Sequence, residues 1–218
     1  MRARAITFDF NGTLSDDEPI LFEVFAGLFA ERGRPLTADD YFGILAGLSD
    51  TEIVRTWLGD RDDVDALVAE RVERYRRAVH DGSSVSEDVR RAVRLAADRV
   101  PVAVVSGAAE AEIAPVLKAA GIHGLFVTVV SSDSVHDGKP HPEGYLTALR
   151  RFAEAGHPVA AAETVAFEDT AAGVASAKAA GLHCVAVAGT LPRERLAEAD
   201  EIVERIDEEL ILRLVGDD

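Results

Sequence analysis

From about residue 87 onward this chain alternates short, almost wholly apolar runs with segments of helical periodicity, and that alternation limits the folds open to it. The runs at 100–105, 126–130, 164–167 and 183–187 are short and apolar on both alternating faces, the pattern of strands buried on two sides. Between them, 87–98, 108–120, 142–155 and 171–180 read as helices, with Gly121 and Gly181 as stops. Residues 201–203 fit an edge strand. Pro115 would break a helix interior, so the reading places it at the first position of the main helix in its segment. Strand followed by helix, repeated, predicts a doubly wound, Rossmann-like parallel sheet with helices on both faces.

One more such run, residues 3–9, opens the chain and ends in the carboxylate of Asp9, and Asn11-Gly12-Thr13 is a turn signal. No strand pattern follows until about residue 100. Helical spacing occupies 19–32, where Leu21, Val24, Phe25, Leu28 and Phe29 recur on one face, and then 38–45, 50–58 and 64–79. The expected organisation is an α/β core domain of residues 1–13 and 82–218, with an α-helical cap domain, 14–81, inserted after the first strand.

Composition removes several classes of function. Of 218 residues, 48% are hydrophobic, enough for a sizeable core. Asp and Glu number 39 against 23 Lys and Arg, a net charge of −16, so nucleic acid and anionic lipid are not expected partners. No stretch approaches the roughly 18 consecutive apolar residues of a membrane span. The first run meets Asp9 too early for a secretory leader, and a cytoplasmic protein is expected. The single cysteine, Cys184, permits neither an internal disulfide nor a cysteine metal cage. Oligomeric state is left open.

Ligands of open α/β sheets lie beyond the carboxyl ends of the strands. The residues there are Asp9 and Asn11, Ser106 and Gly107, and Glu168 and Asp169, with Lys139 in the loop Gly138-Lys139-Pro140-His141-Pro142. This set holds a carboxylate nucleophile, a cation, two further carboxylates and a hydroxyl ahead of a helix. A carboxylate attacking an anionic phosphorus needs its charge offset, which calls for a divalent metal and a lysine. Glu168 and Asp169 are hard oxygen ligands suited to Mg2+. Ser106 and the turn at Asn11–Thr13 are placed to hold phosphate oxygens.

The order and spacing resemble the haloacid dehalogenase superfamily. Asp9-Phe10-Asn11-Gly12-Thr13-Leu14 is similar to its first motif, Val104-Val105-Ser106-Gly107 to the second, and Gly138-Lys139-Pro140-His141-Pro142 to the third. Phe167-Glu168-Asp169-Thr170, with the glycines at 173 and 181, resembles the fourth. Four motifs in order, each at a strand end or loop, make a specific pattern. The helical insert matches the small α-helical cap of subfamily I, which includes phosphoglycolate-phosphatase-like and β-phosphoglucomutase-like members. The resemblance implies a Mg2+-dependent phosphatase acting on a small phosphorylated metabolite through an aspartyl-phosphate. Asp9 would be nucleophile and metal ligand, the Asn11 carbonyl a second ligand, and Asp169 with Glu168 the rest of the metal site. Ser106 and Lys139 would hold the phosphoryl group, with Gly12, Thr13 and Gly107 contributing. Ser49, in the Gly47–Asp50 segment, stands either as a helix cap or in a substrate-specificity loop.

The departure is Asn11. The family's phosphatases carry a second Asp there, which protonates the leaving group and activates water. An amide does neither, and such acid–base help is worth about 10²–10⁴-fold in rate. Three outcomes follow: a preference for good leaving groups such as acyl phosphates, an acid supplied by the cap, or binding of a phosphorylated ligand with little turnover. A dehalogenase-like C–X hydrolase would need no acid, but it would need no metal site either. Among the remaining polar residues, Asp16-Asp17-Glu18 is an acidic cluster close to the site that reads as a solvated hinge, although it could also draw extra metal. Arg71, Arg74, Arg76 and Arg77 read as a solvated helix face paired with Glu70 and Glu73, although an arginine there suits an anionic substrate too. Trp57 and Phe42 read as cap core, and His136 and His141 as exposed loop residues.

Overall fold

A computed structural model describes residues 2–216. Its strands are β1 (Ala5–Phe8), β2 (Val102–Val105), β3 (Thr128–Val130), β4 (Thr164–Glu168), β5 (His183–Val187) and β6 (Glu201–Val203). They form one sheet in the order β3-β2-β1-β4-β5-β6, and every pairing is parallel. Every residue of β1, β2 and β4 is buried, as the uniformly apolar runs require when both faces of a sheet are covered.

Alternation along the strands sorts the side chains onto two cores. Ile6 and Phe8 of β1 join Val104 and Phe167 on one face, where the rings of Phe8 and Phe167 stack 5.1 Å apart. Helices α5 (Glu87–Ala97), α6 (Glu110–Ala119) and α9 (Glu208–Val215) supply the apolar residues that cover this face. The other face presents small residues, Ala5, Ala103, Ala166 and Ala186, against α7 (Glu143–Glu154) and α8 (Ala171–Ala179). Small strand residues let those helices approach, and Tyr145 and Phe152 of α7 fill the space. Burying one such aromatic side chain is worth about 1.5–3 kcal/mol.

Between β1 and α5 the chain forms α1 (Glu18–Ala30), α2 (Ala38–Asp40) running into a π-helical turn at Tyr41–Leu45, α3 (Asp50–Leu58) and α4 (Val64–Ala78). Leu21, Phe25, Leu28 and Phe29 line the buried face of α1, which packs on α4. Trp57 and Phe42 are half-buried against the core.

The structure corrects the sequence expectations at three points. Pro115 sits inside α6, five residues after Glu110, rather than at a first position. Only the amide that would bond Ala111 is lost, and the burial of Ile113, Val116 and Leu117 carries the helix past it. Helix α9 was not anticipated at all. Its signals are the N-cap Asp207, which accepts from the Leu210 amide at 2.9 Å, and the apolar face of Leu210, Ile211, Leu214 and Val215. The segment 38–45 is not one α-helix but a short α-turn followed by the π-turn.

From β1 the sheet grows toward β2 and β3 on one side, and after β3 it crosses to β4 on the other. The crevice beyond the carboxyl ends of β1 and β4 is therefore the switch point at which a ligand is expected.

Candidate active site

The sheet register sets the site. Phe8 lies level with Val104 and Phe167, and the ladder runs one step further through the Asp9 amide, which donates to the Phe167 carbonyl at 2.9 Å. Asp9, Ser106 and Glu168 thus emerge side by side. Lys139, from the loop after β3, reaches in: its Nζ lies 2.6 Å from Asp9 Oδ1 and 2.6 Å from Glu168 Oε1. Glu168 also accepts from the Tyr145 hydroxyl, and Asp169 Oδ1 accepts from Thr13 Oγ1 at 3.3 Å. Glu168 is no surface charge; it and Asp169 are fully buried.

Three carboxylates face one ammonium, which leaves two surplus negative charges in a buried cluster. Burial, with the nearby Asp9, pushes Glu168 up to about 7 despite Lys139. Burial and the charges of Asp9 and Glu18 hold Asp169 well above the usual carboxylate range. Burial alone would lower Lys139, but Asp9 and Glu168 reverse this and raise it above its ordinary value. Asp9, Glu168 and Asp169 each offer an oxygen within 4.8 Å of the others, and Glu168 Oε2 and Asp169 Oδ2 are buried without hydrogen-bond partners. Orphaned hard oxygens with surplus negative charge fit a divalent cation such as Mg2+.

Two glycines make the cluster possible. Gly12 has φ +68°, and a Cβ there would overlap the Asp169 carboxylate. A Cβ on Gly173, at the start of α8, would overlap the Glu168 carboxylate.

A cavity of about 310 Å³ opens over this cluster, of a size for a small metabolite. Asp9, Asn11, Ser106, Gly107 and Lys139 line it from the sheet side, and Ser49 lines it from the helical insert. Ser106 Oγ accepts from the Ala108 amide at 3.1 Å, and the N-cap position of α6 belongs to Ala109. Ser49 is the N-cap of α3 in a capping box with Glu52, and it also lines the cavity. Gly12 and Thr13 line a neighbouring cavity instead. Their amides are engaged internally, Gly12 with the Ser15 carbonyl at 2.8 Å and Thr13 with the Phe10 carbonyl at 3.3 Å. The structure thus places this pair around Asp169, where Gly12 packs on the carboxylate and the Thr13 hydroxyl donates to it. His136 and His141 are exposed at the mouth.

The acidic run after the first motif is not a solvated hinge. Asp16 is exposed, but Asp17 and Glu18 are buried. Asp17 accepts from Asn11 Nδ2 at 2.9 Å, from the Gly12 amide at 3.2 Å and from the Tyr75 hydroxyl. The Asn11 amide is therefore tied to the start of the insert and to α4. Burial raises Asp17 to about 6 in spite of these donors. Glu18, which accepts from Tyr41 Oη at 3.2 Å, lines the cavity and is raised to about 7, first by burial and then by Asp17.

Arg71 also departs from the solvated face expected of it. Arg74 pairs with Glu31 and Glu70, and Arg76 and Arg77 pair with Glu73. Arg71 is instead buried against Glu112 of α6, with Asp50 at 3.4 Å. Its guanidinium covers the rings of Phe25 and Tyr75. Nothing in the local pattern of 64–79 separates Arg71 from its neighbours except its place on the apolar side with Leu67 and Tyr75. Tyr145, Glu18 and Tyr41 were likewise not singled out as site residues. Their partners lie 23 residues away in sequence, beyond any local spacing rule.

Residues 6–187 match the haloacid dehalogenase-like hydrolase family. The chain is 32% identical over 208 residues to the validoxylamine A 7'-phosphate phosphatase of Streptomyces hygroscopicus subsp. limoneus, covering 92% of this chain and 93% of the relative. It is 29% identical to the phosphorylated carbohydrates phosphatase of Thermotoga maritima, covering 82% of each. In fold it resembles a CbbY mutant from Rhodobacter sphaeroides in complex with xylulose-(1,5)bisphosphate, with a TM-score of 0.83 and 24% identity over 95% of this chain and 96% of that one. No helix among the described residues is long and apolar enough to cross a membrane.

Proposed function

This chain belongs to the haloacid dehalogenase-like hydrolase family, and from that premise we propose that it is a Mg2+-dependent phosphohydrolase of small phosphorylated metabolites, working through an aspartyl-phosphate at Asp9. The observation that carries the reading is Asp9 itself. Its carboxylate stands at the switch point, is held by Lys139 at 2.6 Å through Oδ1, and faces a cavity of metabolite size. Oδ2 is the oxygen left to attack phosphorus.

In the first step Asp9 Oδ2 bonds to phosphorus as the bond from phosphorus to the leaving oxygen breaks. In the second, water attacks the same phosphorus, releasing inorganic phosphate and regenerating Asp9. Ser106 and Lys139 hold the phosphoryl oxygens, and Lys139 offsets the charge of the nucleophile. Asp9, Asp169 and the Asn11 carbonyl, with Glu168 beside them, would hold Mg2+, which supplies charge compensation between phosphate and carboxylate. Residues 14–81 act as the cap that closes the cavity over the 1–13 and 82–218 core.

Asn11 favours substrates whose leaving group needs little protonation, because its amide is committed to Asp17 and carries no titrating proton. The assay is hydrolysis of p-nitrophenyl phosphate and acetyl phosphate with and without Mg2+, by the wild type and by Asp9→Asn, with 2-haloacids as a control. Metal-dependent phosphate release, lost in a folded Asp9→Asn protein, is expected. Activity retained in Asp9→Asn overturns the nucleophile, and metal-independent halide release overturns the phosphatase.

A further inference from the structure

Resting on the phosphohydrolase reading, the charge pattern of the cavity wall narrows the substrate. Opposite Asp9 that wall is built by the helical insert from Leu21, Phe25 and Ile53, with the carboxyls of Glu18 and Asp50 and the guanidinium of Arg71. Among the described residues lining the cavity, the fixed cations are Lys139 and Arg71, and both are committed. Lys139 bridges Asp9 and Glu168 at 2.6 Å. Arg71 is buried, with its two terminal nitrogens paired to Glu112 and Asp50, while its Nε is buried without a hydrogen-bond partner.

The N-terminus of α3, which would otherwise attract an anion, is closed by the Ser49–Glu52 capping box and carries Asp50 in its first turn. At the mouth, His136 Nδ1 lies 3.2 Å from Asp137, and His141 Nδ1 is engaged by the Glu143 amide at 3.3 Å. Beyond the phosphoryl position, a second anion would therefore meet the carboxyls of Glu18 and Asp50 and no fixed cation that is not already ion-paired. Ionised, Glu18 and Asp50 repel it; protonated, they give it no charge to pair with; in both forms they hydrogen-bond hydroxyls.

We propose that the substrate is a phosphate monoester whose remainder bears no second negative charge: a hydroxylated body that is uncharged or carries an amine. Its apolar edge lies against Leu21, Phe25 and Ile53, and its hydroxyls reach Glu18 and Asp50. Glu18 and Asp50 are specificity-determining residues, which act by disfavouring a carboxylate or a second phosphate.

The test compares glucitol 6-phosphate with 6-phosphogluconate, which share six carbons and differ at the end remote from phosphate by a hydroxymethyl against a carboxylate. Both kcat/KM and the dissociation constant are measured on the full chain with Mg2+. The wild type should favour glucitol 6-phosphate at least about tenfold, since like charges set against each other disfavour the wrong partner. Asp50→Asn, which releases Arg71 from one partner, should cut the preference severalfold, and Glu18→Gln should do the same independently. A ratio near one, or a preference for 6-phosphogluconate, overturns the proposal, as does an unchanged ratio in both folded variants. The phosphohydrolase reading fails separately. If p-nitrophenyl phosphate is hydrolysed while 6-phosphogluconate is preferred, only the charge argument falls. If no phosphate is hydrolysed, the ratio of dissociation constants still decides the proposal, and binding of neither compound overturns both.

Discussion

Asn11→Asp installs the carboxyl that the first motif of the family carries, and the structure shows what that carboxyl meets. The Asn11 side chain lies 2.9 Å from Asp17 Oδ2, and Asp17 is already raised to about 6 by burial. Two carboxylates at that spacing repel by on the order of 6 kcal/mol at an effective dielectric near 20, about four pK units. The introduced carboxyl and Asp17 should therefore share one proton at neutral pH and titrate as a pair. That proton is what an alkoxide leaving group lacks in the natural chain. Hydrolysis of an alkyl ester such as glycerol 1-phosphate should rise about 10²-fold in Asn11→Asp, and that of p-nitrophenyl phosphate much less. The measurement is kcat/KM for both esters in Mg2+ as a function of pH, and the gain on the alkyl ester should fade above the upper apparent pKa of the pair. Equal alkyl-ester rates in the two proteins would refute the reasoning and place the proton donor elsewhere. Glu18, which lines the cavity and is raised to about 7, would then be the first group to test. Asp16, exposed, and Asp17, enclosed beneath Asn11, are worse placed.

Asp169→Ala should weaken Mg2+ binding, followed by calorimetry, far more than Glu168→Ala, because Glu168 is already charge-paired with Lys139 while the partner of Asp169 Oδ1 is the neutral Thr13 hydroxyl; the reverse order would reassign the metal site. Arg71→Met leaves Glu112 buried, and Asp50 half-buried, opposite no cation and should cost about 3–5 kcal/mol in urea unfolding; a loss below about 1 kcal/mol would show that the site relaxes around the change. For Asp17 the sign follows from a carboxyl raised on folding from 3.8 to about 6: its contribution is fully present below the lower value and is lost as pH rises through the upper. In metal-free protein, Asp17→Asn should thus gain on the wild type by up to about 3 kcal/mol between roughly pH 4 and 7.5, and a difference independent of pH would contradict the raised value.

The alternation of apolar runs and helical segments was sufficient to call for a parallel doubly wound sheet, because a strand buried on both faces has no polar side to show. The strand-end rule then pointed to Asp9, Ser106, Glu168 and Asp169, since backbone register alone carries such residues to one edge. Lys139 was legible only from its loop motif, since no strand register places a loop residue. What the sequence could not order were contacts made across the fold. Asp17, Glu18 and Arg71 have the local signature of solvated charge, and only the packing of α1 and α4 encloses them. Once enclosed, they must find partners from other elements: Asn11 and Tyr75 for Asp17, Tyr41 for Glu18, Asp50 and Glu112 for Arg71. Pro115 shows the opposite conflict, a local helix breaker overruled by three apolar neighbours packed into the core. Periodicity reports which face of an element is buried, so it fixed the layers and the strand ends. Desolvated charge takes its energy from partners distant in sequence, so the charged wall of the cavity was decided by the tertiary structure alone.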